Sequence, residues 1–411
     1  MGDAVIERGV RQTGDGTLLE VMADRLPRMV EELAALVSIE SPSEDLDALR
    51  LCANYLSTLG TTLLGFAPEV VERDGRPHLL WTFGATPRVL LVGHFDTVHP
   101  MGTIDVFPFS DDGEIIRGPG TCDMKGGLVV ALHALAVLRE RYGDDALDGV
   151  ALFLNADEEL GSPSSVPVLA ELATTARVAL VFENGGGNGE LKTERRGRSD
   201  YELRFTGRSV HAGMRPQDGV NAIAELAAQY ERVTSLSDFG LGTSVTPTLA
   251  SAGTTFNTVP DLATMRLDVR CALPEEQHRV DREIREIRPV IPGAEVEVRG
   301  SIQIHPMPSH VSQELVRLAV EVSAAVGVEA PGQMAAGGSS NACDLAGLGL
   351  RTIDGLGTIG EDDHTHREWM TKRSLVTRSA LAAGMVASLV GLPVDGEALP
   401  PPADLRELLV G

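Results

Sequence analysis

The sequence predicts an α/β protein: a doubly wound, mostly parallel sheet forms the main domain, and a smaller α+β domain is inserted into it. Three apolar runs, at 88–93, 149–154 and 177–182, lead to this prediction. Short β-rich runs separated by helical segments are typical of strands buried on both faces. The 411 residues also exceed what one hydrophobic core usually supports, which favours two domains.

The elements around these runs follow from apolar periodicity and from glycine positions. Apolar residues at helical spacing predict an amphipathic helix at 18–37 and a second at 46–59, which Gly60 would end. A glycine-rich turn at 118–127 opens a long apolar helix at 128–141. The other predicted elements of this domain are helices at 164–176, 312–326 and 374–390, with weaker strands at 69–71 and 78–81.

The pattern changes near residue 196. Tyr201 to Phe205 alternates between apolar and polar residues, as a half-exposed antiparallel strand does. A helix at 219–236 follows, and then come alternating stretches at 244–249, 263–269 and 294–298. We therefore predict an inserted α+β domain at 196–302, with its sheet open on one face. Residues 1–195 and 303–411 then form a discontinuous main domain.

Composition restricts partners and location. A net charge of −24 would repel phosphates, which argues against nucleic acid and anionic membranes as partners. Met1 to Glu20 lacks the apolar core of a signal peptide, and we find no later run long enough to span a membrane. The four cysteines form no CxxC pair, which suits a reducing compartment and excludes a cysteine-based zinc site. A cytoplasmic location is expected.

Each strong strand ends in residues of the types that can bind metal. His94 and Asp96 follow the first strand, 157–159 (Asp-Glu-Glu) follows the second, and Glu183 follows the third. Ligands bind at the carboxyl ends of strands in such sheets. Asp123 lies in the glycine-rich turn, at the positive end of a helix, where a carboxylate is favoured. The same turn lacks the GxxxxGK[ST] and GxGxxG spacings of phosphate-binding loops.

Histidine and carboxylate ligands without thiolates suit zinc in a hydrolytic site, with cobalt or manganese as alternatives. Asp96 is placed to orient His94, and His364 would complete the ligand set. Glu158 and Glu159 are adjacent, so one would bind metal while the other accepts a proton from water. Taken singly, each of these residues is more often an ordinary polar side chain. Their joint occurrence at strand ends favours the metal site.

Four motifs in order resemble the M20 family of dizinc metallopeptidases, which includes glutamate carboxypeptidase, acetylornithine deacetylase, succinyl-diaminopimelate desuccinylase and aminoacylase. The resemblance extends from about residue 20 to 395. Residues 337–341 and 356–360 resemble the glutamate carboxypeptidase branch most closely. The four motifs are His94 to Val98 (HFDTV), Gly118 to Gly127 (GPGTCDMKGG), Asp157 to Ser162 (DEELGS) and His364 to Glu368 (HTHRE).

The resemblance implies a role for each matching residue. His94 and Glu183 would bind metal, Asp123 would bridge two zinc ions, and Asp96 would orient His94. Of the glutamate pair, Glu159 would be the ligand and Glu158 the general base.

His364 would bind the other zinc ion rather than His366, because Glu368 lies four residues beyond His364, as in the family's closing motif. His366 remains the alternative ligand.

The inserted domain carries further implied sites. Residues 207–213 resemble the family's dimerisation motif, whose histidine, here His211, reaches the active site of the partner subunit and stabilises the oxyanion. The resemblance therefore implies a homodimer, with the inserted domain as its lid and dimerisation domain. Asn257 is a candidate for substrate binding, as are Gly338 and Arg299.

Two positions depart from the glutamate-specific relatives. Ser301 stands where those relatives have an arginine for the substrate carboxylate, and strand alternation decides whether Arg299 can replace it. Asn341 stands where an aspartate is expected. Both changes argue against a folate-type or glutamyl substrate.

The predicted function is dizinc-dependent, carboxypeptidase-like hydrolysis of a peptide or N-acyl bond in a small amino-acid-derived amide. The alternatives are an N-acyl-amino-acid deacylase similar to acetylornithine deacetylase, an amidohydrolase of a specialised metabolite, and a catalytically silent metal-binding relative. Because Glu158 and Glu159 are both present, the sequence argues against a silent relative.

Overall fold

The computed structural model describes residues 16–410, and the chain divides into two compact units. The first unit comprises the chain up to Thr193, His310–Ala335 and the chain from Ser340 onward. The second comprises Glu194–Ser309 and Ala336–Ser339. The predicted insertion was 196–302. The second unit therefore begins two residues earlier and ends seven residues later than predicted, and it also includes 336–339, which were predicted to lie in the main domain.

The helices and strands are numbered in chain order. The helices are α1 Leu18–Ser38, α2 Leu46–Leu64, α3 Thr103–Val106, α4 Gly126–Tyr142, α5 Val166–Ala173, α6 Ala222–Thr234, α7 Pro274–Arg285, α8 Gln313–Val326, α9 Asn341–Gly347, α10 Lys372–Leu389 and α11 Ala403–Val410. The strands are β1 Glu69–Arg73, β2 Arg76–Phe83, β3 Val89–His94, β4 Ser110–Asp111, β5 Ile115–Arg117, β6 Val150–Asn155, β7 Val178–Val181, β8 Leu191–Arg195, β9 Gly197–Thr206, β10 Val210–His211, β11 Ser244–Ala252, β12 Thr258–Val259, β13 Leu262–Cys271, β14 Glu295–Ile304, β15 Gln333–Ala336, β16 Arg351–Ile353, β17 Gly360–Glu361 and β18 Trp369–Thr371.

A six-stranded sheet with the order β1-β2-β6-β3-β7-β16 forms the centre of the first unit. The strands β6, β3, β7 and β16 run parallel. At one edge β2 pairs antiparallel with β6, and β1 pairs antiparallel with β2. All residues of β3, β6 and β7 are buried, which is why these strands form continuous apolar runs in the sequence. The predicted α/β class and the three strong strands are confirmed.

Helix α4 crosses the core of this unit and packs against α1 and α10. The segment Thr121–Tyr142 is long and apolar enough to span a membrane, contrary to the sequence prediction that no such run exists. Its most apolar window is 100% buried inside the protein, so it is a core helix here. The predicted absence of a signal peptide concerns Met1 to Glu20, of which residues 1–15 lie outside the described chain.

Helix α2 is longer than predicted. It continues past Gly60 and ends at Gly65, whose φ of 84° is left-handed. Gly60 instead lies against the ring of Trp81, where a β-carbon would clash, so close packing rather than helix termination explains this glycine. Leu63 and Leu64 are buried and extend the apolar face of the helix.

The second unit contains a four-stranded antiparallel sheet with the order β11-β13-β9-β14. Alternate residues of β9 and β13 are buried, and they form a small core with side chains of α6 and α7. Helix α6 occupies the central part of the predicted 219–236 helix. Helix α7 was not predicted, because its sequence is largely charged and only one of its faces is apolar.

Candidate metal centre

Three neighbouring strands bring the predicted ligands to one edge of the sheet. His94 is the last residue of β3, Asp157 to Glu159 follow β6, and Glu183 follows β7. Because β6, β3 and β7 are adjacent and parallel, their carboxyl ends meet at the same edge.

Asp123 reaches this edge from a π-helical turn, Thr121–Lys125, that precedes α4. Gly120 introduces the turn with a left-handed φ of 72°. The backbone of Asp123 is itself non-helical, with φ −116° and ψ 95°, and its side chain is buried.

The two carboxylate oxygens of Asp123 contact different histidines. Oδ1 lies 3.2 Å from Nε2 of His94, and Oδ2 lies 3.0 Å from Nε2 of His364. His94 Nε2 is also 3.4 Å from Glu183, and His364 Nε2 is 3.3 Å from Glu159. The side chains thus form two donor groups, each with one histidine and one glutamate, that share Asp123.

Three sets of side chains in the described part of the chain place their ligand atoms within 4.8 Å of one another. The first set is His94, Asp123 and Glu159, and the second is His94, Glu158 and Glu183. The third joins Asp123 and His364 to Asp363, an exposed residue that was not among the predicted ligands.

His366, the alternative to His364, lies elsewhere. Its ring stacks on Phe107 with centroids 6.0 Å apart. The backbone of His364, whose side chain contacts Asp123, adopts a left-handed φ of 62°, which is uncommon for residues other than glycine. The geometry therefore favours His364 as the ligand.

Asp96 connects the ends of β3 and β6. Its carboxylate accepts hydrogen bonds from the backbone N–H groups of Glu158 and Glu159, each at 3.2 Å, and from the Ser43 hydroxyl at 2.7 Å. The carbonyl oxygen of Asp96 lies 3.0 Å from Nδ1 of His94, closer than the carboxylate at 3.4 Å. Asp96 thus contacts His94 mainly through its backbone, whereas its carboxylate positions the glutamate pair, which sequence reasoning missed.

The site contains more carboxylates than cationic groups, and burial makes their ionisation costly. Burial raises the pKa of Glu158 well above its usual range, and neighbouring Glu183 and Glu159 add to the shift. Burial also raises the pKa of Glu183, and it raises that of Glu159 to about 6. Cations bound among these groups would remove this penalty.

The pKa values of the two histidines are also raised, which favours their charged form. Hydrogen bonds to Asp123 and Glu159 raise the pKa of His364 to about 11. Burial disfavours the charged form of His94, but hydrogen bonds to Asp123, Asp96 and Glu183 still raise its pKa well above the usual value. Metal ions bound to these imidazoles would replace the protons that the neighbouring carboxylates favour.

Glu368 holds the backbone of the turn around Asp123. Its fully buried carboxylate accepts hydrogen bonds from the backbone N–H groups of Gly120, Cys122 and Asp123 at 2.9, 2.7 and 3.0 Å. Nε2 of His99 lies 3.0 Å from the same carboxylate. In the sequence, Glu368 served only to choose between His364 and His366, although its place in the same motif as His364 was a signal that it belongs to the site.

Asn341 is a second buried support. Its Oδ1 accepts a hydrogen bond from Nδ2 of Asn155 at 2.6 Å, at the end of β6. Its own amide donates to Ser162 at 2.7 Å, just beyond Glu158 and Glu159. An amide can donate and accept in this position, which accounts for asparagine here in place of the expected aspartate.

His211 and Asn257 lie side by side in the second unit, both exposed to solvent. Strand β10 pairs with β12, with His211 opposite Thr258, and the backbone N–H of Ala212 donates to the carbonyl of Asn257 at 2.8 Å. The N–H of Gly213 donates to Nδ1 of His211 at 3.1 Å, so a neutral His211 carries its proton on Nε2.

Gly338 and Arg299, also in the second unit, have other neighbours. The carbonyl of Gly338 accepts a hydrogen bond from Arg195 at 2.8 Å. Arg299 is exposed on β14 and binds Glu297 through two hydrogen bonds, at 2.9 and 3.0 Å. This pairing satisfies the arginine and favours a surface ion pair over substrate binding.

The sequence profile of peptidase family M20/M25/M40 matches residues 90–388, which include every residue of the two donor groups. The chain belongs to this family. It is a hydrolase of peptide or amide bonds, and the M20 family depends on metal.

Relatives support the assignment along most of the chain. Carboxypeptidase G2 of Pseudomonas sp. (strain RS-16) is 29% identical over 391 residues, covering 92% of this chain and 93% of its own. The putative succinyl-diaminopimelate desuccinylase DapE of Mycobacterium tuberculosis is 28% identical over 280 residues, covering 66% and 74%.

Solved structures show the same fold. Aminopeptidase PepT from Bacillus cereus superposes with a TM-score of 0.66 at 21% identity, covering 88% of this chain and 98% of its own. The YXEP protein of Bacillus subtilis, described as a dinuclear metal-binding peptidase of the M20 family, superposes with a TM-score of 0.57 at 16% identity, covering 90% and 99%.

Proposed function

We propose that this M20 hydrolase holds two zinc ions and cleaves a peptide or N-acyl bond in a small amino-acid-derived substrate. The observation that carries the proposal is the divided contact of Asp123, whose two oxygens face His94 and His364 separately. Each histidine has its own glutamate, Glu183 or Glu159, as expected for two cations that share one carboxylate. Imidazole and carboxylate donors without thiolate suit zinc, and also cobalt or manganese.

Bound divalent cations would polarise the scissile carbonyl and make water more acidic. His94 and Glu183 would hold one cation, and His364 and Glu159 the other. Glu158 belongs to the set with His94 and Glu183, but it is not the glutamate of either histidine–glutamate pair. We therefore assign it as the general base. It accepts a proton from the attacking water as the new C–O bond forms, and it delivers that proton to the amine as the C–N bond breaks.

The substrate is proposed to carry a free carboxylate, as in a dipeptide cleaved at its C-terminal residue. Similarity to carboxypeptidase G2 along 92% of this chain supports the carboxypeptidase direction. N-acyl deacylation is the second candidate, because the desuccinylase DapE is 28% identical over 66% of this chain, and because Ser301 replaces the arginine of glutamate-specific relatives.

We further propose a homodimer in which His211 acts on the site of the partner subunit. The Nε2 proton that the Gly213 contact imposes makes His211 a hydrogen-bond donor for an oxyanion. The second unit also exposes an edge strand, β11, whose Leu249 is 62% exposed, and helix α6, whose Tyr230 is 49% exposed. A second copy of the chain covering these residues would bury apolar surface. A cytoplasmic location and the absence of nucleic-acid and membrane partners remain predictions from the sequence.

Hydrolysis of a mixed panel of dipeptides and N-acyl amino acids by the zinc-loaded protein tests the reaction. Mass spectrometry shows whether peptides or simple N-acyl amino acids are cleaved, which separates carboxypeptidase from deacylase. We expect cleavage that a chelator abolishes and that Glu158→Gln lowers by at least about 100-fold while the metal content stays unchanged. Near-normal turnover by metal-loaded Glu158→Gln would refute the assigned base.

Mixing two inactive variants tests the histidine acting in trans. Hybrid dimers of Glu158→Ala and His211→Ala chains contain one complete site, formed by Glu158 of one chain and His211 of the other. Equal mixing with subunit exchange should therefore restore about a quarter of wild-type activity. If both residues act within one chain, the mixture stays inactive, and an active monomer in sedimentation would exclude the same proposal.

A further inference from the structure

A cavity of about 940 Å³ lies in the first unit and is lined by none of the metal-centre residues. It is bounded by the start of α1, the first turns of α10 and the segment that follows α8. A volume of this size falls in the range that small-molecule sites occupy. Its apolar lining includes Leu19, Leu26, Val328, Pro331, Ile359 and Leu381.

The amino end of α10 opens into this cavity. The helix has 18 residues, no acidic residue in its first turn and no side-chain cap from Thr371. Thr371 and the first helical residues, Lys372 to Ser374, line the cavity. The amino end of a helix favours an anion, because its first backbone N–H groups lack partners within the helix, although the N–H of Lys372 already donates to the carbonyl of Glu114 at 2.7 Å.

Arg378, in the second turn of α10, supplies an independent indication of an anion. It lines the cavity although its residue is only 3% exposed. One of its terminal nitrogens donates to the carbonyl of Gly189 at 2.8 Å, but its Nε has no hydrogen-bond partner among the described residues. Burial lowers the pKa of Arg378 to about 10, so the guanidinium remains charged at neutral pH while it lacks part of its solvation.

Among the charged residues that line the cavity, Arg378 is the principal buried cation. Lys372 is paired with Asp111 at 2.6 Å, and Arg373 is exposed at the rim. Two carboxylates also line the rim, Glu114 and Glu329, and both are exposed to solvent, where water screens them.

Glu190 is an acidic residue whose charge attracts Arg378. Its carboxylate is engaged by Asn188, through the backbone N–H and the side-chain amide, both at 3.1 Å. It makes no hydrogen bond to the Arg378 guanidinium among the described residues, so a direct anionic partner for Nε is missing there.

We propose that this cavity is a second, non-catalytic binding site for a small molecule with one carboxylate and an apolar body. The carboxylate would accept from Arg378 and lie at the amino end of α10. The apolar body would pack against Leu19, Leu26 and Leu381. The site is separate from the metal centre, so the proposal does not depend on the proposed function.

Titration calorimetry with decanoate, below its micelle concentration, tests the proposal on the full chain. Decanoate has no amide bond to hydrolyse, and titrating metal-free and zinc-loaded protein separates this cavity from the metal centre. We expect one decanoate per chain, equal affinity in both forms, and decanol binding at least about tenfold more weakly because it lacks the charge.

Two variants test the cavity itself. Arg378→Met removes the guanidinium, and Ala23→Trp fills the cavity from α1 while it leaves Arg378 in place. Each should weaken decanoate binding at least about tenfold. Ala23→Trp should hydrolyse amides at the wild-type rate, and Arg317→Met, on the exposed face of α8, should bind decanoate as the wild type does.

Four results would overturn the proposal: no saturable binding, equal affinity for decanoate and decanol, binding that requires zinc, or wild-type affinity in both cavity variants. If Arg378→Met does not fold, Ala23→Trp alone decides.

Discussion

The carboxylate of Glu368 accepts a hydrogen bond from the backbone N–H of Asp123 at 3.0 Å, although the two residues are 245 positions apart. The same oxygen accepts from Cys122, and the other oxygen accepts from Gly120. One buried acidic residue thus fixes the backbone of the acidic residue that the two histidines share. The orientation of Asp123 depends on this contact rather than on the turn sequence alone.

We expect Glu368→Gln to weaken metal binding by about 10- to 100-fold, the usual effect of losing a residue that orients a ligand. The amide has one oxygen where the carboxylate has two, so Gly120 or the Cys122 and Asp123 pair loses its acceptor. Competition with a chromogenic chelator measures the affinity. Glu397→Gln, at an exposed position, is the control. Unchanged affinity in Glu368→Gln would show that the turn holds Asp123 without help.

Gly127→Ala should destabilise the protein by about 1–3 kcal/mol, because an added β-carbon would overlap the carbonyl oxygen of Phe182. That carbonyl immediately precedes Glu183, so the metal affinity should fall as well. Urea unfolding and chelator competition measure the two effects. Gly337→Ala, where no atom lies within 4 Å of the added carbon, should change stability by less than about 0.5 kcal/mol. Equal stabilities for the two variants would contradict the close contact.

Zinc should raise the melting temperature more at pH 7.5 than at pH 5. Without metal, burial raises the pKa of Glu159 from 4.5 to about 6, and it raises those of Glu158 and Glu183. A carboxyl group whose pKa is raised by folding stabilises the protein below its unfolded pKa and loses that contribution as the pH rises through the folded value. The free energy of unfolding of the metal-free protein therefore falls as the pH rises from about 4.5. Metal binds the ionised carboxylates, so its stabilising effect grows over the same range. Thermal melts with and without zinc at both pH values check this, and an equal zinc shift at both would refute it.

Asp344→Asn should stabilise the protein by about 1–3 kcal/mol at pH 7.5 and change little near pH 4. Burial raises the pKa of Asp344 to about 6, nearby Asp157 adds to the shift, and a hydrogen bond from Asn341 opposes it. The ionised aspartate therefore destabilises the folded state at neutral pH, whereas the protonated form at low pH does not. The neutral amide of asparagine removes this pH dependence of the stability. Urea unfolding at both pH values measures it. Exposed Asp24→Asn is the control, and an equal effect of Asp344→Asn at both pH values would contradict the shift.

The sequence contained enough to predict the sheet and the donor set, because both depend on local pattern. Buried parallel strands are apolar along their whole length, so β3, β6 and β7 were visible, and His94 and Glu183 stand at or just beyond their ends. Asp123 was identified by the glycines around it, which permit a turn that few other residues allow.

The supporting contacts were not predictable, because they join distant parts of the chain. Nothing near Glu368 indicates that it meets the backbone of residues 120–123. The Asp96 carboxylate was assigned to His94, its sequence neighbour, and it lies 3.4 Å from that ring, but it also holds the backbone of Glu158 and Glu159. Gly60 was assigned as a helix end because the ring of Trp81 that it packs against is not a local feature.

The division of the first unit into separated chain segments has a consequence for synthesis. His94, Asp123, Glu159 and Glu183 precede the inserted unit in the sequence, whereas His364 and Glu368 follow it. A ribosome must therefore translate the whole insertion before the second histidine exists. Until then, a nascent chain carries a cluster of acidic groups with an incomplete ligand set. Premature termination anywhere before residue 364 should leave a product that cannot form the complete centre, so hydrolysis begins only after nearly the entire polypeptide has been made.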